Sequence, residues 1–482
     1  MDHVVIDFAQ KLGAVKPMHA VNNGPVYKFA ADQRITNLPA YKEAGIPYAR
    51  THDAAFYATY GGEHTVDIIA IFPNFDADPD DPASYDFRLT DEYMRVIELA
   101  GTKPFFRLGN KIEHWPKKYG TLPPKDFHKW AVICEHIIRH YTEGWADGFH
   151  MDMPYWEIWN EPDLDRDDSD HKRCWGGTAE QFYEFFNIAA THLKKCFPHL
   201  KIGGPACCGL NEKWINGLLE KLTAPIDFFS WHVYAKDPET IAQMTLQARR
   251  ILDDHGMQNV ESILNEWNYV RGWLGDEWLY SLRMEKALKG ASFIAATMET
   301  CQYLPLDMLM YYDARPCAMN GMFATDYVCD LLKGYYPFRM FNELYKLDHA
   351  VKAESDEARV YACAAASEDK SAAMITYYTD DDSAEAEREV KLTFKNAAGQ
   401  NGLRLTFRLL DETHNDEIVK EELVSSDEFS VYLKLPRLGT YLVESAPLEA
   451  KIPVNNESRR PIRRENRMER RSFCAYPQEF WE

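Results

Sequence analysis

The sequence predicts a (β/α)8 barrel of the TIM type followed by an antiparallel β-sandwich. Three observations lead there. From about residue 15 to residue 349, short β-rich runs alternate with longer helical patterns; eight such runs can be counted; and beyond residue 350 the helical patterns stop while strand-like runs continue.

In chain order the eight runs are KPMHAVN (16–22), IPYARTH (46–52), KPFFRLG (103–109), YWEIWN (155–160), KIGGP (201–205), DFFSWHVY (227–234), ESILNE (261–266) and DMLMYYD (307–313). Between them lie stretches such as FHKWAVICEHIIRHYTEGW and AEQFYEFFNIAATHLKKCF, whose apolar residues recur at helical spacing. Residues 65–87 form a long insertion after the second run, and loops at that end of a barrel strand cover the active face. The later runs, from ARVYACAAAS to GTYLVES, have no helical pattern between them and assign residues 350–450 to the sandwich. The apolar run HVVIDF, within residues 1–14, supplies one more strand to that domain. Residues 451–482 carry eight Lys/Arg against five Glu, a local excess of 8 − 5 = +3, and read as an arm that docks on acidic protein surface. The acidic segment TDDDSAEAERE near Asp380 reads as a solvated loop.

A formal net charge of −21 argues against a nucleic-acid surface. No apolar run approaches the length of a membrane span, and the start lacks the pattern of a secretory leader. Ten scattered cysteines without a CxxC pair read as reduced thiols, which places the expected protein in the cytoplasm. The sequence calls for no metal and no cofactor, and it leaves a homo-oligomer open.

Barrel proteins carry function at the C-terminal ends of their strands. There the sequence places Asn160 and Glu161 after the fourth run and Glu266 at the end of the seventh. Two carboxylates on opposed strands suit glycoside hydrolysis, one as acid/base and the other as nucleophile or base. A carboxyl that gives up a proton near neutral pH needs surroundings that favour its neutral form, which an aromatic approach and a negative partner provide. Asn160 would offer its amide to the sugar hydroxyl beside the anomeric carbon. Trp267, Trp273 and Trp278 are candidate stacking platforms for sugar rings. Arg271 and Arg315, just past the last two runs, would either meet a uronate carboxylate or pair with the abundant acids.

WEIWNEPDLD, followed 266 − 161 = 105 residues later by ILNEWNY, resembles the glycosidases of clan A, and most of all glycoside hydrolase family 39, the β-xylosidase and α-L-iduronidase family. ARTHD, DFFSWHVYA and the trailing β domain extend the likeness over most of the chain. The resemblance implies a retaining glycosidase, most of all a β-xylosidase, acting on an oligosaccharide or glycoside, with Glu161 as acid/base and Glu266 as nucleophile. It also implies that Arg50 holds the nucleophile by charge, that Tyr234 hydrogen-bonds it, and that His52, His232, Tyr234, Asp313 and Phe323 line the sugar pocket. An iduronidase-like or other exo-glycosidase is the competing enzyme reading, and a sugar-binding protein on the same fold the non-enzymatic one.

Overall fold

A computed structural model describes residues 1–30, 33–53, 64–325, 330–397 and 402–448. The basic segment 451–482, Cys329 and Cys474 lie outside the described residues. The chain opens with β1 (Asp2–Lys11), enters the barrel at β2 (Ala20–Asn22), and makes a hairpin of β3 (Tyr27–Ala30) and β4 (Gln33–Thr36). The remaining barrel strands are β5 (Tyr48–Arg50), β6 (Lys103–Leu108), β7 (Tyr155–Ile158), β8 (Lys201–Cys207), β9 (Phe228–Ala235), β10 (Glu261–Tyr269) and β11 (Met308–Tyr311). They close in the order β10-β11-β2-β5-β6-β7-β8-β9, every neighbouring pair parallel. Each of the eight sequence runs contributes one strand.

Four of the described α-helices start at side-chain caps. Thr178 and Gln181 form a reciprocal capping box ahead of Ala179–Cys196. Asp126 caps Phe127–Glu143, which ends at Gly144 with a left-handed φ of 76°. Inside the barrel, Ala20, Phe105, Tyr155, Phe228, Ile263, Met308 and Met310 pack as a separate apolar layer. A polar layer lies on the next inward positions of β6, β7 and β9, namely Arg107, Glu157 and Ser230, all fully buried. The apolar plug thus forms a floor and the polar layer the base of a site.

After the barrel come β12 (His349–Ser355), β13 (Val360–Ala366), β14 (Ser371–Tyr377), β15 (Glu387–Lys395), β16 (Leu403–Leu410), β17 (Asn415–Val424), β18 (Phe429–Pro436) and β19 (Thr440–Pro447). They form one nine-stranded sheet, β17-β16-β19-β14-β13-β12-β1-β15-β18, with β1 antiparallel to β12 and parallel to β15. The expected all-antiparallel sandwich is therefore a mixed, continuous sheet, because the N-terminal strand bridges its two halves. The sheet folds over a core that includes Val4, Ile6, Ile375, Leu392, Phe407, Leu433 and Val443. Its other face meets the helix Leu288–Cys301, which touches β13, β14 and β10 and is buried almost all round.

The acidic segment near Asp380 is largely exposed, as expected of a solvated loop, but two of its aspartates also tie it to the barrel. Tyr269 Oη donates to Asp380 Oδ1 at 2.6 Å, Arg271 Nη2 pairs with the same oxygen at 2.9 Å, and Lys289 Nζ reaches Asp382 Oδ1 at 2.6 Å. The barrel's cations meet these acids, a partnership no local charge pattern displays. Among the described residues no helix is long and apolar enough to cross a membrane. The eight described cysteines are unpaired.

Candidate active site

Strand β7 delivers its functional residues through a strained turn. Trp159 has φ 77° and Glu161 φ 45°, left-handed values that cost a side-chain-bearing residue roughly 1–3 kcal/mol each. Three hydrogen bonds hold the turn: Trp159 N to Leu108 O at 2.7 Å, Trp159 Nε1 to Cys174 O at 2.9 Å, and Glu161 N to Ala206 O at 2.8 Å. This geometry turns Trp159 outward onto Trp130, Trp175 and Phe185. Trp156 and Trp159 therefore pack in the main core outside the strands, Tyr155 belongs to the plug inside the barrel, and the aromatics before Glu161 do not enclose its carboxyl. Glu161 meets His232 Nδ1 at 2.9 Å through Oε1, and Cys174 Sγ at 4.0 Å through Oε2.

Strand β10 uses a bulge. Its register shifts between Leu264 and Glu266 against β9, and between Leu264 and Trp267 against β11. Asn265 and Glu266 consequently both face the barrel interior, where simple alternation would send one of them out. Trp267 pays the geometric consequence: fully buried, it packs outward on Phe293 and Tyr311 and presents no platform to the mouth.

Glu266 is buried but surrounded by donors. Arg50 Nη1 lies 2.8 Å from Oε1, His52 Nε2 3.5 Å from Oε1, Tyr234 Oη donates to Oε2 at 2.8 Å, and His232 Nδ1 lies 3.5 Å from Oε2. Burial alone pushes the Glu266 carboxyl up, yet the charges of His232, His52 and Arg50 and the Tyr234 hydrogen bond outweigh it and hold the pKa down at about 2. Burial works against a charged His232 as well, but Glu266 and Glu161 together raise its pKa. An oxygen of Glu161, an oxygen of Glu266 and a His232 ring nitrogen all lie within 4.8 Å of one another.

Arg50 is the hub. Fully buried, it donates from Nε to Glu157 Oε2 at 2.6 Å, from Nη1 to Asn22 Oδ1 at 3.0 Å, and from Nη2 to Asn160 Oδ1 at 2.6 Å. Because Asn160 accepts through its oxygen, its amide nitrogen is left to donate to a ligand. The Glu157 carboxylate also accepts from Ser230 Oγ at 2.6 Å and from Asn265 Nδ2. Glu157, Asn22 and Asn23 went unnoticed in the sequence. The signal was present in Glu157, an acid two places after Tyr155 and hence on the same inward face of the strand.

Two expected pocket residues are not at the surface of the site. Asp313 is fully buried, accepting from Asn23 Nδ2 at 2.8 Å and lying 3.3 Å from Arg315 Nε. Phe323 is fully buried and stacks on Tyr41 at 5.8 Å. Asp313 is held within its own loop, where its N–H donates to Met319 O at 3.3 Å and Cys317 Sγ lies 3.6 Å from Oδ2, and Phe323 forms an isolated bridge with Leu331. His232 is also fully buried and reaches the two carboxylates directly. His52 and Tyr234 sit at the mouth beside Glu266, with Trp273 edge-on to Tyr234 at 5.1 Å and stacked on Trp278 at 5.2 Å. Arg315 pairs with Asp53 at 3.0 Å and Arg271 with Asp380, so both rim arginines already have acidic partners.

Glu161, His232 and Glu266 have the donor spacing of a metal triad, as do Glu135, His192 and Cys196 on two outer helices. In the first group every donor belongs to the hydrogen-bond network just described. In the second, Arg139 lies 2.8 Å from Glu135 and already serves as its counter-ion.

A parallel eight-stranded barrel with an Asn-Glu pair ending its fourth strand and a glutamate on its seventh has the architecture of the clan A glycosidases. The chain belongs to glycosyl hydrolases family 39, whose family model matches residues 17–299. It is similar to a curated beta-xylosidase of Geobacillus stearothermophilus, 26% identical over 184 residues, covering 35% of this chain and 34% of that protein. Another curated beta-xylosidase, from Caldicellulosiruptor saccharolyticus, is 27% identical over 250 residues, covering 48% of this chain and 46% of its own length. The matches thus span half or less of these relatives. The fold resembles that of a solved glucosidase from Croceicoccus marinus, with a TM-score of 0.75 at 21% identity, covering 93% of this chain and 99% of that one.

Proposed function

We propose that the protein is a retaining glycosidase that removes terminal sugars by double displacement, with β-linked xylose as the favoured glycone. The observation that carries this reading is the pair Glu161 and Glu266, whose oxygens approach within 4.8 Å while their surroundings differ sharply. Retaining enzymes hold their carboxyls about 5–5.5 Å apart, whereas inverting enzymes need roughly 6.5–9.5 Å to admit a water.

In the first step Glu266, ionised, attacks the anomeric carbon while Glu161 passes its proton to the leaving oxygen. The glycosyl–enzyme ester removes the charge on Glu266, and Glu161, now a carboxylate, takes a proton from water as that water attacks the same carbon. Glu266 leaves with its electron pair, and the configuration is restored. Asn160 donates to the hydroxyl beside the anomeric carbon, while Arg50 and Tyr234 fix the attacking carboxylate. The two relatives called beta-xylosidases support xylose. A uronate in the same pocket has less support, because Arg271 and Arg315 are already paired.

Glu266→Gly should lower turnover of nitrophenyl β-xyloside roughly 10⁴-fold or more, about 5 kcal/mol of transition-state stabilisation. Azide should restore it and yield the inverted glycosyl azide. Replacing Glu161 should slow xylosides with poor leaving groups far more than nitrophenyl β-xyloside, because the proton it gives matters most where the leaving oxygen is basic. A wild-type protein that turns over no aryl glycoside of a pentose, hexose or uronate sinks the proposal and favours a sugar-binding protein.

A further inference from the structure

Beyond Glu161 a second feature opens on the same face. The loop after β6, joined by His64 from the segment after β5, lines a cavity of about 470 Å³ with Lys111, His114, Trp115, Lys117 and Tyr119. Trp115 is 79% and Tyr119 65% exposed, large apolar rings left in water on a chain whose other tryptophans are mostly buried. Lys117 Nζ sits 5.0 Å over the Tyr119 ring. Among the described residues no carboxylate ion-pairs with Lys111 or Lys117, although the chain carries a formal charge of −21. Glu113, the acid in the lining, is turned to other partners: its carboxylate accepts from Tyr119 N at 2.9 Å, Gly120 N at 3.1 Å and Thr121 Oγ1 at 2.8 Å. The His114 pKa is lowered, first by desolvation and then by the charges of Arg173, Lys118 and His171, so the field at this wall is positive.

The cavity is tied to the site through Glu161. Cys174 touches the Glu161 carboxyl, and the carbonyl of the preceding residue, Arg173, accepts from Glu113 N at 2.9 Å. In the closed strand order β6 stands four places from β10, diametrically opposite, and next to β7, so the loop opens beside the strand of Glu161 and opposite the strand of Glu266. A proton donor faces its leaving group on the side away from the nucleophile.

We propose that this cavity is the leaving-group subsite and that it accepts a carboxylate-bearing leaving group, held by Lys111 and Lys117 and stacked on Trp115 or Tyr119. The inference rests on the retaining-glycosidase reading for which side the leaving group occupies. The carboxylate comes from a uronic acid residue or from an aromatic acid; both present a flat face and one negative charge.

The test compares two matched pairs at low ionic strength: the β-xylosides of glucuronic acid and of glucose, and those of para-hydroxybenzoate and para-hydroxybenzamide. The wild type should show kcat/KM roughly three- to tenfold higher for the anionic member of at least one pair. The pair that responds identifies the source of the carboxylate. The preference should shrink in high salt and vanish in the double variant Lys111→Gln, Lys117→Gln, whose circular dichroism and unfolding temperature stay those of the wild type. Equal rates within both pairs, or a preference that survives the double variant, overturn the inference. If no xyloside is cleaved, the functional reading fails and the cavity is read directly by the fluorescence that Trp115→Phe removes. Quenching of that signal by glucuronate or para-hydroxybenzoate, absent with their neutral amides and in the lysine variant, supports the site; no quenching refutes it.

Discussion

Glu266 and Glu285 are both buried glutamates, one at the barrel mouth and one at the end of the outer helix Gly275–Glu285, and they are driven in opposite directions. Glu266 is held down at about 2 by the cations and the hydroxyl around it, which overcome its burial. Glu285 has no hydrogen-bond partner on either carboxyl oxygen, and burial pushes its pKa up to about 9 against the opposing charge of Lys286. Glu299, facing the sheet with a single Thr376 hydroxyl at 2.8 Å, is likewise raised by burial. Burial therefore does not set the charge of a carboxyl; the donors arranged around it do. At the mouth four side chains from two strands and one loop keep one acid ionised.

The contrast can be broken most severely at Arg50. Arg50→Met strips the counter-ion from Glu157 and Glu266 together and should cost about 3–5 kcal/mol in a denaturation curve at neutral pH, with activity lost alongside. A variant as stable as the wild type would mean that water or the histidines neutralise the layer without the guanidinium.

Next in size is Glu285→Gln, which tests the other half. The Glu285 pKa is raised on folding, so the neutral acid's contribution is complete below the unfolded value near 4.5 and is lost as pH rises toward about 9. Between pH 5 and pH 7.5 the wild type should lose on the order of 2–3 kcal/mol that the glutamine variant does not lose. For Glu266 the sign is reversed: its stabilising contribution is present above 4.5 and falls away as pH drops toward about 2. Parallel pH–stability curves for wild type and variant would show that Glu285 finds a partner in solution.

The mildest test is Tyr234→Phe. Loss of one hydrogen bond to a charged group, about 1.5–3 kcal/mol, should lower kcat/KM roughly ten- to hundredfold and leave the fold intact. Because the bond favours the ionised form of Glu266, the acidic limb of the rate profile should move to higher pH. An unmoved limb would assign it to another group.

The barrel could be read from the chain because each strand is a compact β-rich run followed by an amphipathic helix, and the two end-of-strand glutamates because position in such a fold fixes their exposure. What stayed hidden depends on contacts between distant residues. The bulge in β10 has no mark in ESILNEWNY, so Trp267 passed for a platform although the slipped register points it at Phe293. Asp313 and Phe323 follow the last barrel strand as pocket residues should, but both are fully buried. Arg50 was visible as one residue, whereas its grip on Glu157, Asn22 and Asn160 exists only once three strands meet.

The tether between Asp380 and the seventh-strand loop bears on how such chains can be recombined. Tyr269 and Arg271 follow Glu266 by three and five positions and end on an aspartate of the other sheet. A graft that exchanged everything after residue 350 for the equivalent part of a relative would replace Asp380 and Asp382, leaving Arg271, two residues before Trp273, and Lys289 without their acidic partners. Productive chimeras of this architecture must carry that short acidic connector across with the barrel, and a swap placed at the visible boundary should yield a folded protein with a disordered rim.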